Sequence, residues 1–112
     1  MAGKFEIKKA SNGEFFFNLL AGNGQIILSS EMYKAKASAH NGIASVRSNS
    51  ADDNRYLREV STSKKPYFAL KARNGEIIGR SQMYASAESR DNGIESVKSH
   101  AADAAVVDLS VT

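Results

Sequence analysis

Residues 41–52 read NGIASVRSNSAD and residues 92–103 read NGIESVKSHAAD, nearly the same phrase twice in a chain of 112 residues. Asn92 follows Asn41 by 51 positions, and that shift also carries Phe17 onto Phe68, Leu19 onto Leu70 and Asn23-Gly24 onto Asn74-Gly75. Ile26-Ile27 falls on Ile77-Ile78, Ser30 on Ser81, and Met32-Tyr33 on Met83-Tyr84. About half of positions 15–53 match their partners without a gap. The period exceeds that of common solenoids and two copies are too few for an array. The expectation is one domain, 1–112, with repeat one at about 4–53, repeat two at about 55–104 and a closing strand at about 105–111.

Each half reads alike. FEIKK (5–9) and YLREV (56–60) are first strands, followed by turn residues at 11–13 and 61–65. FFFNLLA (15–21) and YFALKA (67–72) are second strands, and QIIL and EIIG are third strands. The Asn-Gly pairs between them suit a primed turn. Helices are expected over roughly 35–49 and 86–100, with Ser86 as an N-cap and Ala35 offering none. AVVDLSV (105–111) is a last strand, and the shift sets Val107 against Tyr56 and Phe5. The first-strand position thus occurs three times, twice after a helix, as if each helix hands a strand to the other half. The fold class that follows is α+β: two tandem β3-α repeats plus a C-terminal strand. It has one antiparallel sheet with two helices on one face, pseudo-two-fold with swapped strands.

On the helices, Ile43, Val46, Ile94 and Val97 share a face with Gly42 and Gly93 and should be core. Glycine costs about 1 kcal/mol relative to alanine inside a helix. Its repeated use on the inner face implies close approach of helix to sheet, with a hinge as the alternative. Ser38, Asn41, Ser45 and Ser48 form a second stripe, repeated as Ser89, Asn92, Ser96 and Ser99. Such small polar residues suit contact with a partner, the other helix or a bound group; residual likeness between copies is the competing explanation.

The spacing N-G-x-I-I, then S-x-x-Y, then N-G-I-x-S-V, found in both copies, resembles the YegP-like family of small bacterial proteins. Its tandem form carries two copies of one domain of unknown function. The resemblance covers nearly the whole chain. It implies a β3-α repeat pair forming one continuous antiparallel sheet with swapped C-terminal strands, and dimers among single-copy relatives. It implies no activity, substrate, cofactor or catalytic residue. The second copy departs at Ser63-Lys64-Lys65-Pro66, which replaces Asn12-Gly13-Glu14-Phe15 and leaves its first hairpin turn open.

Material for chemistry is thin. There is no cysteine, so disulfides and thiolate metal sites are excluded and a reducing compartment is permitted. The start MAGKFEIKK has no apolar run suited to a signal peptide, and no stretch is long enough to span a bilayer. A cytoplasmic protein without membrane association is expected. His40 and His100 do not correspond under the shift, and no Ser-His-Asp, HExxH or phosphate-loop motif occurs. No metal or cofactor is expected. An enzyme with its site between the halves would need paired ionisable residues that the sequence does not show.

Alternation points elsewhere. If Phe17, Leu19, Phe68 and Leu70 face the helices, then Phe16, Leu20, Tyr67 and Lys71 face the other way, with Ile27 and Ile78 joining them. Two helices leave that side uncovered. The expected function is therefore a non-catalytic binding or protein-interaction module, self-association included, using the open face around Phe16, Leu20, Tyr67, Lys71 and Arg73. The alternative is weak binding of RNA or single-stranded DNA. Lys64, Lys65, Lys71, Arg73 and Arg80 cluster in the second repeat, although a net charge of +3 is mild.

Overall fold

The structure, a computed structural model, describes residues 3–110. The first repeat gives β1 (Lys4–Lys9), β2 (Phe15–Leu20), β3 (Ile26–Ser29) and α1 (Lys36–Asn49). A single 3-10 turn (Asp53–Arg55) leads into β4 (Tyr56–Val60), β5 (Pro66–Lys71), β6 (Ile77–Arg80), α2 (Ala87–His100) and β7 (Ala105–Asp108). Residue 111, the expected end of the closing strand, lies outside the described residues. The strands form one seven-stranded sheet in the order β4-β5-β6-β3-β2-β1-β7. The class is α+β, with two helices on one mixed sheet.

An all-antiparallel sheet was the expectation, and β7 corrects it. Lys4 pairs with Ala105 and Ile7 with Asp108 in parallel register. The hairpins β1-β2, β2-β3, β4-β5 and β5-β6 must be antiparallel, but β7 arrives through α2 and no hairpin constrains its direction. Ser110 and Lys36 fasten it: Lys36 Nζ donates to Asp108 at 2.9 Å, and the Ser110 N–H and hydroxyl both donate to the same carboxylate.

The turns are also not primed. Gly24 N–H donates to Ala21 O, Ala21 N–H to Gln25 O, and Gly24 has φ 85°. That is a type I turn followed by a left-handed glycine, with Asn23 Oδ1 accepting from Gln25 N–H. The β5-β6 turn repeats it with Gly75 at φ 89°. The β1-β2 turn does so with Gly13, and its counterpart with Lys64 at φ 65°. The departure at Ser63–Pro66 therefore keeps the turn and puts a lysine where glycine is favoured.

Both helices lie on the side of Phe17, Leu19, Phe68 and Leu70, and one continuous core includes Ile43, Val46, Ile94 and Val97. Ile27 and Ile78 belong to that core and not to the open face. The register shifts between Leu19 and Leu20 and between Leu70 and Lys71 leave each isoleucine as the extra residue of a bulge, which reverses the alternation.

The inner-face glycines receive a specific cause. A Cβ on Gly42 would lie 2.4 Å from the Tyr33 hydroxyl and 2.9 Å from the Phe17 ring. On Gly93 it would lie 2.3 Å from the Tyr84 hydroxyl. Each tyrosine stacks on its phenylalanine with centroids 6.3 Å apart, so the ring pair fills the space that the glycine leaves. The S-x-x-Y motif holds that ring in place. Ser30 Oγ accepts from Phe17 N–H at 2.9 Å and Ser81 Oγ from Phe68 N–H at 2.9 Å, closing the chain back over β2 and β5.

Lys64→Gly should raise stability by about 0.5–1 kcal/mol in urea unfolding, because relief at a left-handed residue exceeds the added entropy of the unfolded glycine; an unchanged or lower midpoint would count against a strained Lys64. A second outcome concerns acid. The Ser110 and Lys36 donors hold the Asp108 carboxyl down at about 2. Their contribution to β7 docking is complete above the ordinary carboxylate range and is lost as pH falls through about 2. Backbone NMR should show the Val106 and Val107 amides losing protection on that descent. In Asp108→Asn the protection should be lower already at neutral pH, with no acid step.

Candidate functional site

The uncovered side of the sheet has a defined central row. Cross-strand partners run Leu57, Ala69, Arg80, Ser29, Asn18, Glu6 and Val107 from one edge to the other. Asn18 is only 5% exposed, and its Oδ1 accepts from Ser29 Oγ–H at 2.8 Å. Glu6 lies between Lys4 at 3.3 Å and Lys8 at 4.0 Å, and Arg80 pairs with Glu31. The middle of this face is thus a polar, internally bonded strip.

The apolar residues expected there are present but dispersed. Phe16 and Tyr67 are half-buried on β2 and β5, with β3 and β6 between them. Leu20 is buried at 8% exposure, and its strand partner Ile26 supplies the exposed apolar surface instead. The basic residues are dispersed too. Lys64 and Lys65 precede β5, whereas Lys71 ends it and Arg73 follows in the next turn. Strand β5 therefore separates two cationic ends, and Arg80 is occupied by Glu31.

On the helix side, the duplicated stripe divides. Asn41 and Asn92 are exposed; Ser38 and Ser89 are half-buried, and Ser89 N–H is taken by the Ser86 cap at 3.1 Å. Ser45 and Ser96 each face the Asn-Gly turn of the other repeat across a crevice. One crevice, of about 380 Å³, is lined by Ala21, Gly22, Asn23, Ser96 and His100. The other, of about 360 Å³, is lined by Glu31, Met32, Tyr33 and Ser45 from the first repeat and by Ala72, Asn74, Glu76, Ile77 and Ile78 from the second. The sequence could not reveal these crevices, because each joins segments from both repeats.

In the first crevice, His100 Nδ1 lies 2.8 Å from Ser96 O, and the carbonyl can only accept. The proton is therefore on Nδ1, and Nε2 accepts from Gly22 N–H at 3.4 Å. Neither nitrogen is left to act as a base toward Ser96. Asn49, the counterpart of His100, does the same job: its amide donates to Ser45 O at 2.8 Å while its carbonyl accepts from Arg55. In the second crevice, burial and then the nearby Glu31 and Glu76 push the Tyr33 hydroxyl up from its ordinary range. For Tyr84 the cause is burial, partly offset by Gln82. Among the described residues no group of three or more His, Asp or Glu is placed to hold a metal ion.

The family model described as a domain of unknown function, DUF1508, matches twice, over residues 10–56 and 61–108. The chain belongs to the DUF1508 family. Its two DUF1508 repeats coincide with the duplication, and the resemblance to the YegP-like family holds. A UPF0339 protein of Acinetobacter baylyi is 60% identical, over 98% of this chain and 99% of its own. UPF0339 protein YegP of Escherichia coli K12 is 54% identical over 96% and 98% respectively. A solution NMR structure of yegP from E. coli, a protein of unknown function, superposes with a TM-score of 0.94 at 52% identity, covering 100% of this chain and 97% of that one. That of a UPF0339 protein from Shewanella oneidensis gives 0.92 at 51% identity, covering 98% and 93%.

Proposed function

We propose that this DUF1508 chain is a non-catalytic binding module that meets a protein partner, or a second copy of itself, through the uncovered face of its sheet. The supporting observation is the one-sidedness of the molecule: both helices and the continuous core occupy one side of seven strands. The other side offers Phe16, Ile26 and Tyr67 around the hydrogen-bonded Asn18–Ser29 strip. Apolar groups around a satisfied polar centre suit a protein interface.

The same reading takes residues 1–112 as one domain whose halves are related by a pseudo-two-fold axis between β3 and β6. In it β4 stands where β1 stands, and each helix passes its following strand to the opposite half. A cytoplasmic location belongs to the proposal; no helix among the described residues is long and apolar enough to cross a membrane.

A second reading, weak binding of RNA or single-stranded DNA, is favoured by one feature. Tyr67 and Lys71 share the uncovered side of β5, and Arg73 follows in the adjoining turn. The separation of Lys64 and Lys65 from that group counts against it.

Light scattering across a concentration series distinguishes the readings. Wild type should gain mass with concentration, and Phe16→Ser/Tyr67→Ser should stay monomeric with an unchanged fold. A wild type that remains monomeric at high concentration removes self-association. Oligonucleotide binding that weakens steeply with salt and depends on Lys71 and Arg73 would instead support the nucleic-acid reading.

A further inference from the structure

The chain contains five Asn-Gly pairs, at Asn12, Asn23, Asn41, Asn74 and Asn92. This dipeptide carries a latent reaction, because a glycine nitrogen unhindered by a side chain can close on the asparagine side-chain carbonyl. The structure divides the five. Asn41 and Asn92 are inside α1 and α2, where the next amide belongs to the helix ladder and Gly42 and Gly93 are buried against Tyr33 and Tyr84. Ring closure there would have to rotate a peptide in the middle of a packed helix. Asn12, Asn23 and Asn74 are exposed in turns, and a Cβ on the following glycine would meet nothing within 4 Å. One backbone bond ties each of those glycine N–H groups, to Ala10 O, Ala21 O and Ala72 O respectively. A single bond in an exposed turn opens far more readily than a helix interior.

The three turns share a second feature and differ in a third. In each, the asparagine side-chain oxygen accepts the N–H of the residue two ahead: Glu14 at 2.9 Å, Gln25 at 3.0 Å and Glu76 at 3.0 Å. That donor points at the oxygen which gains negative charge when the amide carbon is attacked, as in an oxyanion hole. At Asn12 and Asn74 its effect is opposed. Glu14 Oε1 accepts from the Asn12 amide at 3.2 Å and Glu76 Oε1 from the Asn74 amide at 3.0 Å, which puts a carboxylate beside the developing charge. Asn23 has the neutral Gln25 at that position, and among the described residues its amide nitrogen has no acceptor. Asn23 also lines the first crevice, with Ala21, Gly22, Ser96 and His100, and no carboxylate is in that lining.

We propose that Asn23 is a site of covalent self-modification, converting through a cyclic imide to aspartate and isoaspartate ahead of the other four asparagines. Gly24 N gives its proton to solvent base and bonds to Asn23 Cγ. The Cγ–Nδ2 bond breaks, and the nitrogen leaves as ammonia after taking a proton from water. One water then opens the ring at either carbonyl, so the net change is amide plus water to acid plus ammonia, with no oxidant or reductant. Opening at the main-chain carbonyl routes the backbone through the former side chain. The Asn23 bond to Gln25 N–H is then lost, the turn gains a carbon, and the wall that Asn23 gives the first crevice is displaced from Ser96 and His100. This site is at the β2-β3 turn and is independent of the sheet-face reading.

The test holds the full chain in mildly alkaline buffer under folding conditions and follows each asparagine by peptide mapping with tandem mass spectrometry. Asn23 should convert first, Asn12 and Asn74 about fivefold more slowly, and Asn41 and Asn92 not measurably. In denaturant the two helical asparagines should convert as well, since only the fold protects them. Exchanging the counterpart residues supplies the decisive arms. Gln25→Glu should slow Asn23 to the rate of Asn74, and Glu76→Gln should raise Asn74 to the rate of Asn23. Both side chains are exposed, so each variant should keep the wild-type amide spectrum outside its own turn. An Asn12 or Asn74 that keeps pace with Asn23, earlier conversion in either helix, or rates indifferent to both exchanges would overturn the proposal. So would an Asn23 that stays intact in the folded chain while the denatured chain converts.

Discussion

The fit of a tyrosine ring into the gap left by a helix glycine is the constraint on which the rest of the molecule depends. Gly42 admits Tyr33 and Gly93 admits Tyr84, and each ring stacks on the phenylalanine at the centre of its own repeat. A helix pays for an interior glycine in propensity. Here the return is a three-layer contact of helix backbone, tyrosine and phenylalanine that fixes how far each helix stands above the sheet. The Ser30 and Ser81 bonds to the Phe17 and Phe68 amides fold the chain back so that the rings arrive there. The motifs N-G-I, S-x-x-Y and the second-strand phenylalanine are thus three parts of one joint.

Duplication then imposes its own limit where the halves meet. Positions 28 and 79 are counterparts, and β3 lies directly beside β6. A Cβ on Gly79 would lie 2.8 Å from Leu28 Cγ, so one leucine fills the space that two would contest. The copies must differ there. The outer edges differ for a related reason: Ile7 is in the core on a strand flanked by β7, whereas its counterpart Arg58 is on the edge strand β4 and pairs with Asp53 and Asp91. Charge on an exposed edge strand discourages pairing with other chains.

Local patterning and the repeat made most of the architecture legible. The strands follow from alternation, the helices from Ile43, Val46, Ile94 and Val97, and the Ser86 cap from its position, with Ser86 Oγ accepting from Ser89 N–H. Alternation failed at Ile27 and Ile78, because a bulge adds a residue and a simple period of two cannot represent it. The direction of β7 was also hidden, since a strand reached through a helix carries no signal of its neighbour's orientation. Phe16 and Leu20 lie on β2, Tyr67 and Lys71 on β5 and Arg73 in the turn after it, and their spacing across the sheet depends on the strand order. Placing Phe16 and Tyr67 on separate strands required knowing that β3 and β6 intervene. The crevices were illegible because their walls come from segments tens of residues apart, although the Ser45 and Ser96 repeat was their one visible trace.

The central claim, that the glycines exist to seat the tyrosines, is tested most directly by a double-mutant cycle of Gly42→Ala and Tyr33→Leu in urea unfolding. The account predicts that Gly42→Ala alone costs about 1–3 kcal/mol through overpacking, and that much of this cost disappears once Tyr33 is leucine. Strictly additive effects, or a Gly42→Ala variant stabilised by the roughly 1 kcal/mol that helix propensity alone would give, would contradict it.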